Sequence, residues 1–277
     1  MPPARRLAWP LLFALPCTGL QAQELPLWEL GAGAGLITAN DYRGSSSRST
    51  YAAPIPYFVY RGEKLRFDKS GLRGIFFDRD NVTLNLSING SIPADSEDNK
   101  AREGMPDLLP TVEIGPSMEL TLYRHESHRA RLILPVRGVL ATNLKESEFI
   151  GWVFYPHLNL DMPQTYKKWQ FGFNLGPLFA SNQYNEYYYS VDQAYVTPDR
   201  EAYQAYGGFS GSSLILSATR RGENFWFSSF IRYDNLSGAT FEDSPLVETN
   251  NYLMAGVAMT WNFARSKKTT GKTKVWN

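Results

Sequence analysis

The chain has 277 residues, a formal net charge of +1, 14% aromatic residues and a single cysteine, Cys17. A near-neutral chain argues against a nucleic-acid partner, which demands a basic surface, and one cysteine supplies neither a disulfide framework nor a thiolate metal site. Mean hydropathy is −0.34, and beyond the N-terminus no window offers the unbroken apolar run of a transmembrane helix, so a membrane-spanning form of this chain has to cross with strands.

The first feature along the chain is an address. Arg5 and Arg6 precede an apolar run at residues 7–15, and the chain then turns small and polar at residues 19–23. That run is too short to span a bilayer, so residues 1–23 read as a secretory signal peptide cleaved near Ala22 or Gln23. The rival reading, a lipid-modified Cys17, meets Pro16 where such signals carry a small residue.

Strands follow. Val82, Leu84, Leu86 and Ile88 alternate with Thr83, Asn85, Ser87 and Asn89, and Val112, Ile114, Met118 and Leu120 alternate with Thr111, Glu113, Ser117 and Glu119. Residues 130–140 are less regular, because Arg131 and Arg137 share a face with Ile133 and Val139. Trp152, Phe154, Leu158 and Leu160 alternate with His157, Asn159 and Asp161, and Trp169, Phe171, Phe173 and Leu175 alternate with Gln170, Gly172 and Asn174. The last stretch, residues 251–263, places Leu253, Val257, Met259, Trp261 and Phe263 on one face only. A two-residue period with one apolar face and aromatic ends is the pattern of a transmembrane barrel strand.

The connections alternate too. Long polar ones fall at residues 38–52, 93–109, 142–149, 181–202 and 237–249, and short ones at 61–63, 78–80, 124–128, 163–167 and 220–223. Keeping that alternation in phase needs one tight external turn at Lys69, Ser70 and Gly71 and gives an all-β antiparallel barrel of about 12 strands. Ten is the alternative, should the pair at residues 65–77 lie outside the wall. A soluble sandwich or lipocalin-like barrel also alternates, but its strands do not repeatedly end in residues such as Trp28, Trp152, Trp169, Trp226 and Trp261. The expected organisation is a signal peptide at 1–23, an outer-membrane barrel at 24–263 and a basic, flexible tail at 264–277, whose Arg265, Lys267, Lys268, Lys272 and Lys274 have no acidic counterpart.

Several blocks stand out in order. Gly31, Gly33 and Gly35 precede Asp41, Tyr42, Arg43, Gly44 and Ser45; residues 54–58 read Pro-Ile-Pro-Tyr-Phe, followed by Tyr60, Arg61 and Gly62. Next come residues 71–74, then residues 95–102 ending in Arg102, with Gly104, Met105, Pro106, Asp107 and Leu108, and last Asp243, Ser244, Pro245, Leu246 and Val247. In this order the blocks resemble the MipA/OmpV family of Gram-negative outer-membrane proteins over residues 30–263. The resemblance implies an outer-membrane location and, after the family's namesake, a scaffold linking a murein hydrolase to a murein synthase. The chain departs from the usual family ending in continuing past Phe263, the aromatic that resembles the signal read, with Trp261, by the barrel insertion machinery.

Physically, the glycine- and proline-bearing blocks read as strand ends and turns. The acidic run at residues 95–99 lacks the glycine and terminal glutamate of a calcium hand and reads as a solvated loop that touches lipopolysaccharide cations. No enzyme is expected: His125 and His128 share a short turn, and His157 has no serine beside it in its strand. No cofactor or metal spacing is present in the sequence. Glu113, Glu119, Arg131 and Arg137 fall on the inward face and are expected to pair across the lumen, since unpaired charges in a narrow space are costly. The function expected is a scaffold or binding barrel with outer-membrane lipid, lipopolysaccharide and murein or murein enzymes as partners; a small-solute channel and a surface adhesin are the alternatives.

Overall fold

The computed structural model describes residues 26–269 apart from 63–64, 69–70, 80, 126, 144 and 167–168, and gives the backbone alone at 65–68, 71–73 and 163–166. The expected signal peptide, Cys17, the turn residues Lys69 and Ser70, and tail residues 270–277 lie outside the described residues.

The strands are β1 (Trp28–Asn40), β2 (Arg48–Arg61), β3 (Leu65–Asp68), β4 (Gly71–Arg79), β5 (Val82–Ser91), β6 (Thr111–Arg124), β7 (Arg129–Thr142), β8 (Ser147–Phe154), β9 (His157–Tyr166), β10 (Trp169–Ala180), β11 (Gly208–Arg221), β12 (Phe225–Asn235) and β13 (Asn251–Arg265). They form one antiparallel sheet in which β13 pairs with β1, so the sheet closes on itself. β8 and β9 are two halves of one crossing. Both run against β7, β8 along residues 136–142 and β9 along residues 129–133, with the break at Tyr155 and Pro156. Pro156 has no N–H to give to a ladder. Counted by crossings, the barrel has twelve strands, as the connection pattern predicts.

The two-residue period sorts side chains by solvent. In β6 Thr111, Glu113, Ser117 and Glu119 are buried while Val112 and Ile114 are exposed, and in β13 Tyr252, Gly256 and Thr260 are buried while Leu253, Val257, Met259, Trp261 and Phe263 are exposed. The exposed apolar face is the one lipid covers, and the inward face holds the polar residues. At the closing seam β1 and β13 come very close. A Cβ at Gly33 would sit 1.9 Å from the Met259 carbonyl oxygen, so the inward residues of β1 have to be small there.

At one end of the barrel few residues separate the strands, between β2 and β3, β4 and β5, β6 and β7, β9 and β10, and β11 and β12; the other carries the long connections at 41–47, 92–110, 181–207 and 236–250. In outer-membrane barrels the turn end is periplasmic and the loop end external. Two of the long connections are shorter than the sequence suggests: Thr38, Ala39 and Asn40 pair with Thr50, Ser49 and Arg48, and Leu140, Ala141 and Thr142 pair with Phe149, Glu148 and Ser147, which takes residues 142 and 147–149 into strands. Polar side chains are tolerated in a strand once it rises past the lipid band. At the turn end β13 runs to Arg265, two residues past the expected boundary; the Leu27 amide donates to the Lys268 carbonyl at 2.9 Å and Thr269 bridges Pro26.

The apolar core is not in the membrane-spanning wall. Its buried residues come chiefly from the loops, Tyr42, Ala94, Leu108, Tyr188, Tyr189, Val191, Ala205, Leu236, Phe241 and Leu246, packed on Val139, Ala141, Ile150, Val153 and Ala180 at the loop end of the wall.

Candidate functional site: a folded cap above a charged lumen

The long connection between β10 and β11 contains the helix α1 (Asn182–Tyr189), started by Ser181, whose hydroxyl accepts from the Tyr184 amide at 3.4 Å. Its tyrosines cross the mouth of the barrel. Tyr189 stacks on Phe241 of the β12–β13 connection with ring centroids 3.6 Å apart, and its hydroxyl donates to the Arg43 carbonyl at 2.9 Å. Ser244 donates back to the Tyr189 carbonyl at 2.6 Å, and the Tyr42 hydroxyl donates to the Leu246 carbonyl at 2.7 Å.

Two buried arginines join the remaining connection. Arg102 donates to the Tyr188 carbonyl at 3.2 Å and to the Pro106 carbonyl at 3.0 Å, and Arg200 donates to the carbonyls of Ala101 and Glu103 at 2.9 and 3.0 Å. Asn99 donates to Asp41 and to Ser45, each at 2.9 Å. The four long connections are thus one folded cap. Burial pushes the phenol groups of Tyr42, Tyr184, Tyr188 and Tyr189 up, which keeps them neutral donors, and burial lowers Arg102 against the opposing pull of its tyrosine neighbours.

The cap gathers most of the motif residues. Gly44 adopts φ +105°, and its carbonyl accepts from Glu248 and Thr249 at 2.8 and 3.1 Å; Gly104 adopts φ +78°, the left-handed region open to glycine. Asp107 accepts from the Ser96 amide at 2.9 Å, Met105 packs against the core, and Ser244 and Pro245 lie within the β12–β13 connection, Ser244 buried against Tyr189. Within the acidic run, Asn99 is a buried tie to Asp41. Tyr60, Arg61 and Gly62 stand apart at the turn end, where Arg61 pairs with Glu29 at 2.9 Å.

The lumen charges pair along the wall. Arg137 meets Glu113 at 2.9 Å, Arg131 meets Glu119 and reaches Asp161 at 2.8 Å, and Arg129 meets Asp161 at 3.3 Å. These contacts join neighbouring strands, so they neutralise charge without bridging the lumen. Two clusters carry further pairs that the sequence reading did not single out: Glu29 with Arg61 and Arg221, and Asp234 with Arg43 and Arg232, each at 2.7 Å. The parity of β12 held the signal for the second, since Arg232 and Asp234 share the inward face with Ser228 and Phe230.

Between cap and charges lies a cavity of about 220 Å³, roofed by Tyr184, Tyr188 and Tyr189 and floored by Glu113 and Arg137. Of the histidines, His157 stacks on Tyr155, while Ser127 sits 3.1 Å from His125 Nδ1 and 2.9 Å from His128 Nδ1. His125 and Ser127 of that turn are exposed.

Residues 30–263 match the family described as MltA-interacting protein MipA. The outer membrane protein OmpV of Vibrio cholerae serotype O1 and the outer membrane protein Omp26La of Vibrio anguillarum are each 25% identical over 224 residues, covering 74% of this chain and 76% of theirs. Among solved structures, a bacterial polysaccharide outer membrane secretin aligns with TM-score 0.42 at 8% identity, covering 85% of this chain and 99% of its own. The CymD monoaromatic hydrocarbon channel aligns with TM-score 0.38 at 11% identity, covering 88% and 90%.

Proposed function

We propose that this chain, which belongs to the MipA family of outer-membrane β-barrel proteins, is an occluded binding barrel that scaffolds murein enzymes and is not an open pore. The observation that carries the reading against a pore is the cap: four connections share one buried core across the external mouth. A conducting barrel of this size needs a water-filled path from end to end, and α1 lies across it.

The family's description as an MltA-interacting protein supports a murein-enzyme partner on the periplasmic side. The chemistry of the turn end supports it as well. Arg265, Lys267 and Lys268 are exposed there and present cationic donors to the carboxylates of murein or to an acidic enzyme face. Further tail lysines follow in the sequence.

Crosslinking in isolated outer membranes, followed by identification of the captured proteins, tests the proposal. Capture of a murein hydrolase and a murein synthase is expected, and loss of both on replacing Arg265, Lys267 and Lys268 by Glu places the contact. Stable, large openings of the purified protein in a planar bilayer would overturn the occluded reading in favour of a channel.

A further inference from the structure

The wall of the barrel is incomplete on one side. β2 pairs with β1 along its whole length, from Trp28↔Tyr60 to Asn40↔Arg48, and with β3, among the described residues, at Tyr60 and Arg61. β3 has four residues, and its hairpin closes at Asp68↔Gly71. β4 in turn pairs with β5 only over residues 82–85, although β5 pairs with β6 along all of Val82–Ser91. Toward the loop end, β2 and β5 therefore lie on either side of a stretch in which the described hairpin residues form no ladder with either strand. Among the described residues no strand pairs with those edges at 48–56 and 87–91. Three strand spacings, about 14 Å, separate β2 from β5 where the hairpin still stands between them.

Open sheet edges in hydrocarbon are costly because each bare N–H lacks a partner. The sequence answers with Pro54 and Pro56. The β1–β2 ladder passes both without a register shift, so their nitrogens fall on the other edge, where a proline has no N–H to leave bare. At the top the slot is narrowed by the Tyr51 hydroxyl, 3.4 Å from the Pro93 carbonyl oxygen.

The slot opens into the cavity under the cap, whose lining includes Ser49 and Tyr51 from β2 and Asn89 and Ser91 from β5. Asn89 points inward, donating to Glu113 at 3.2 Å, yet it and Ser91 are exposed; Asn85, on the same face but behind the hairpin, is only 3% exposed. Outside, the rim is apolar and small: Ala52, Pro54, Pro56 and Ile88. Polar groups inside and an apolar rim outside match a molecule with both characters.

We propose that the gap between β2 and β5 is a lateral portal for a single-chain amphiphile, whose polar head enters the cavity while its chain lies in the slot and the outer leaflet. The cavity is too small for a drug-sized ligand but suits a head group, with the Tyr51 and Tyr188 rings for packing and Asn89, Arg137 and Arg232 for hydrogen bonds. With the mouth capped, exchange with the membrane runs sideways. This inference stands independently of the murein-enzyme reading.

The test uses the full chain with Cys17→Ser and Asn89→Cys, folded into phosphatidylcholine vesicles and treated with N-dodecylmaleimide delivered through the bilayer. Asn89→Cys should react at least ten-fold faster than Ser213→Cys, which faces the lumen away from the slot. Closing the slot with Ala52→Trp and Ala53→Trp, or more mildly with Ala52→Leu and Ala53→Phe, should slow Asn89→Cys labelling at least ten-fold. Heat-modifiable migration selects the closed variant that folds. An Asn89→Cys rate unchanged by the folded closure, or reaction only with a water-soluble sulfonated maleimide, would overturn the portal and leave the gap to another chain's strand.

Discussion

Arg102 shows how much one side chain can organise. It is 3% exposed, and its guanidinium serves the Ser96 hydroxyl and the carbonyls of Pro106 and Tyr188, tying the β5–β6 connection to the end of α1. Arg102→Ala strands those acceptors, each at about 1–3 kcal/mol when buried and unsatisfied. The cap should loosen by a few kcal/mol while the wall stays folded. Chymotrypsin should then cut purified Arg102→Ala within residues 181–207 at least ten-fold faster than the parent, with unchanged heat-modifiability, and Arg102→Lys should not restore resistance because an ammonium lacks the planar fork. Arg102 was visible in the sequence as part of an ordered block. Its role was not, because the Tyr188 carbonyl it binds is 86 residues away and no local spacing announces such a partner. The lumen pairs were more legible, since Glu113, Glu119, Arg131 and Arg137 lie at inward parities on sequential strands.

At the scale of elements, a strand advertises itself by its period and a loop does not. β13 could be read residue by residue, and it carries a direct prediction: Trp261 and Phe263 point to lipid, where a charge costs roughly 2–4 kcal/mol at the midplane and less near the interface. The double change Trp261→Asp with Phe263→Asp should lower the amount of folded, heat-modifiable protein in the outer membrane severalfold, whereas Thr260→Ser, on the inward face, should leave it unchanged. The cap, by contrast, was legible only as polar connections. Its core depends on tyrosines in α1 meeting Tyr42, Phe241 and Leu246 from other loops, a tertiary event with no sequence period. The same tyrosines make the cap sensitive to alkali. Their folded pKa values are raised by burial, while an unfolded tyrosine ionises near 10, so the cap keeps its full stability below about pH 10 and loses it as pH rises beyond that. Chymotrypsin resistance of residues 181–207, probed after brief incubation from pH 8 to pH 11.5, should hold up to about pH 10 and collapse above it.

For the molecule as a whole, two sequence signals of independent origin, strand alternation and connection length, agree on twelve crossings and on both chain ends at the same face. What neither signal could reveal is that the external end is shut by folded loops and that the wall is short at β3 and β4, because both depend on how far separate segments reach in space. The shut end also alters what accessibility experiments should read. Proteases need an extended, mobile segment, so the packed loops should resist them even where they face outward, whereas a small thiol reagent needs only an exposed atom. Glu201 and Ser127 are both exposed and lie at opposite ends of the barrel. In cells expressing the Cys17→Ser chain, Glu201→Cys should react with a membrane-impermeant maleimide added outside, and Ser127→Cys should react only after the outer membrane is permeabilised. The reverse pattern would turn the barrel over and place the cap in the periplasm, within reach of murein.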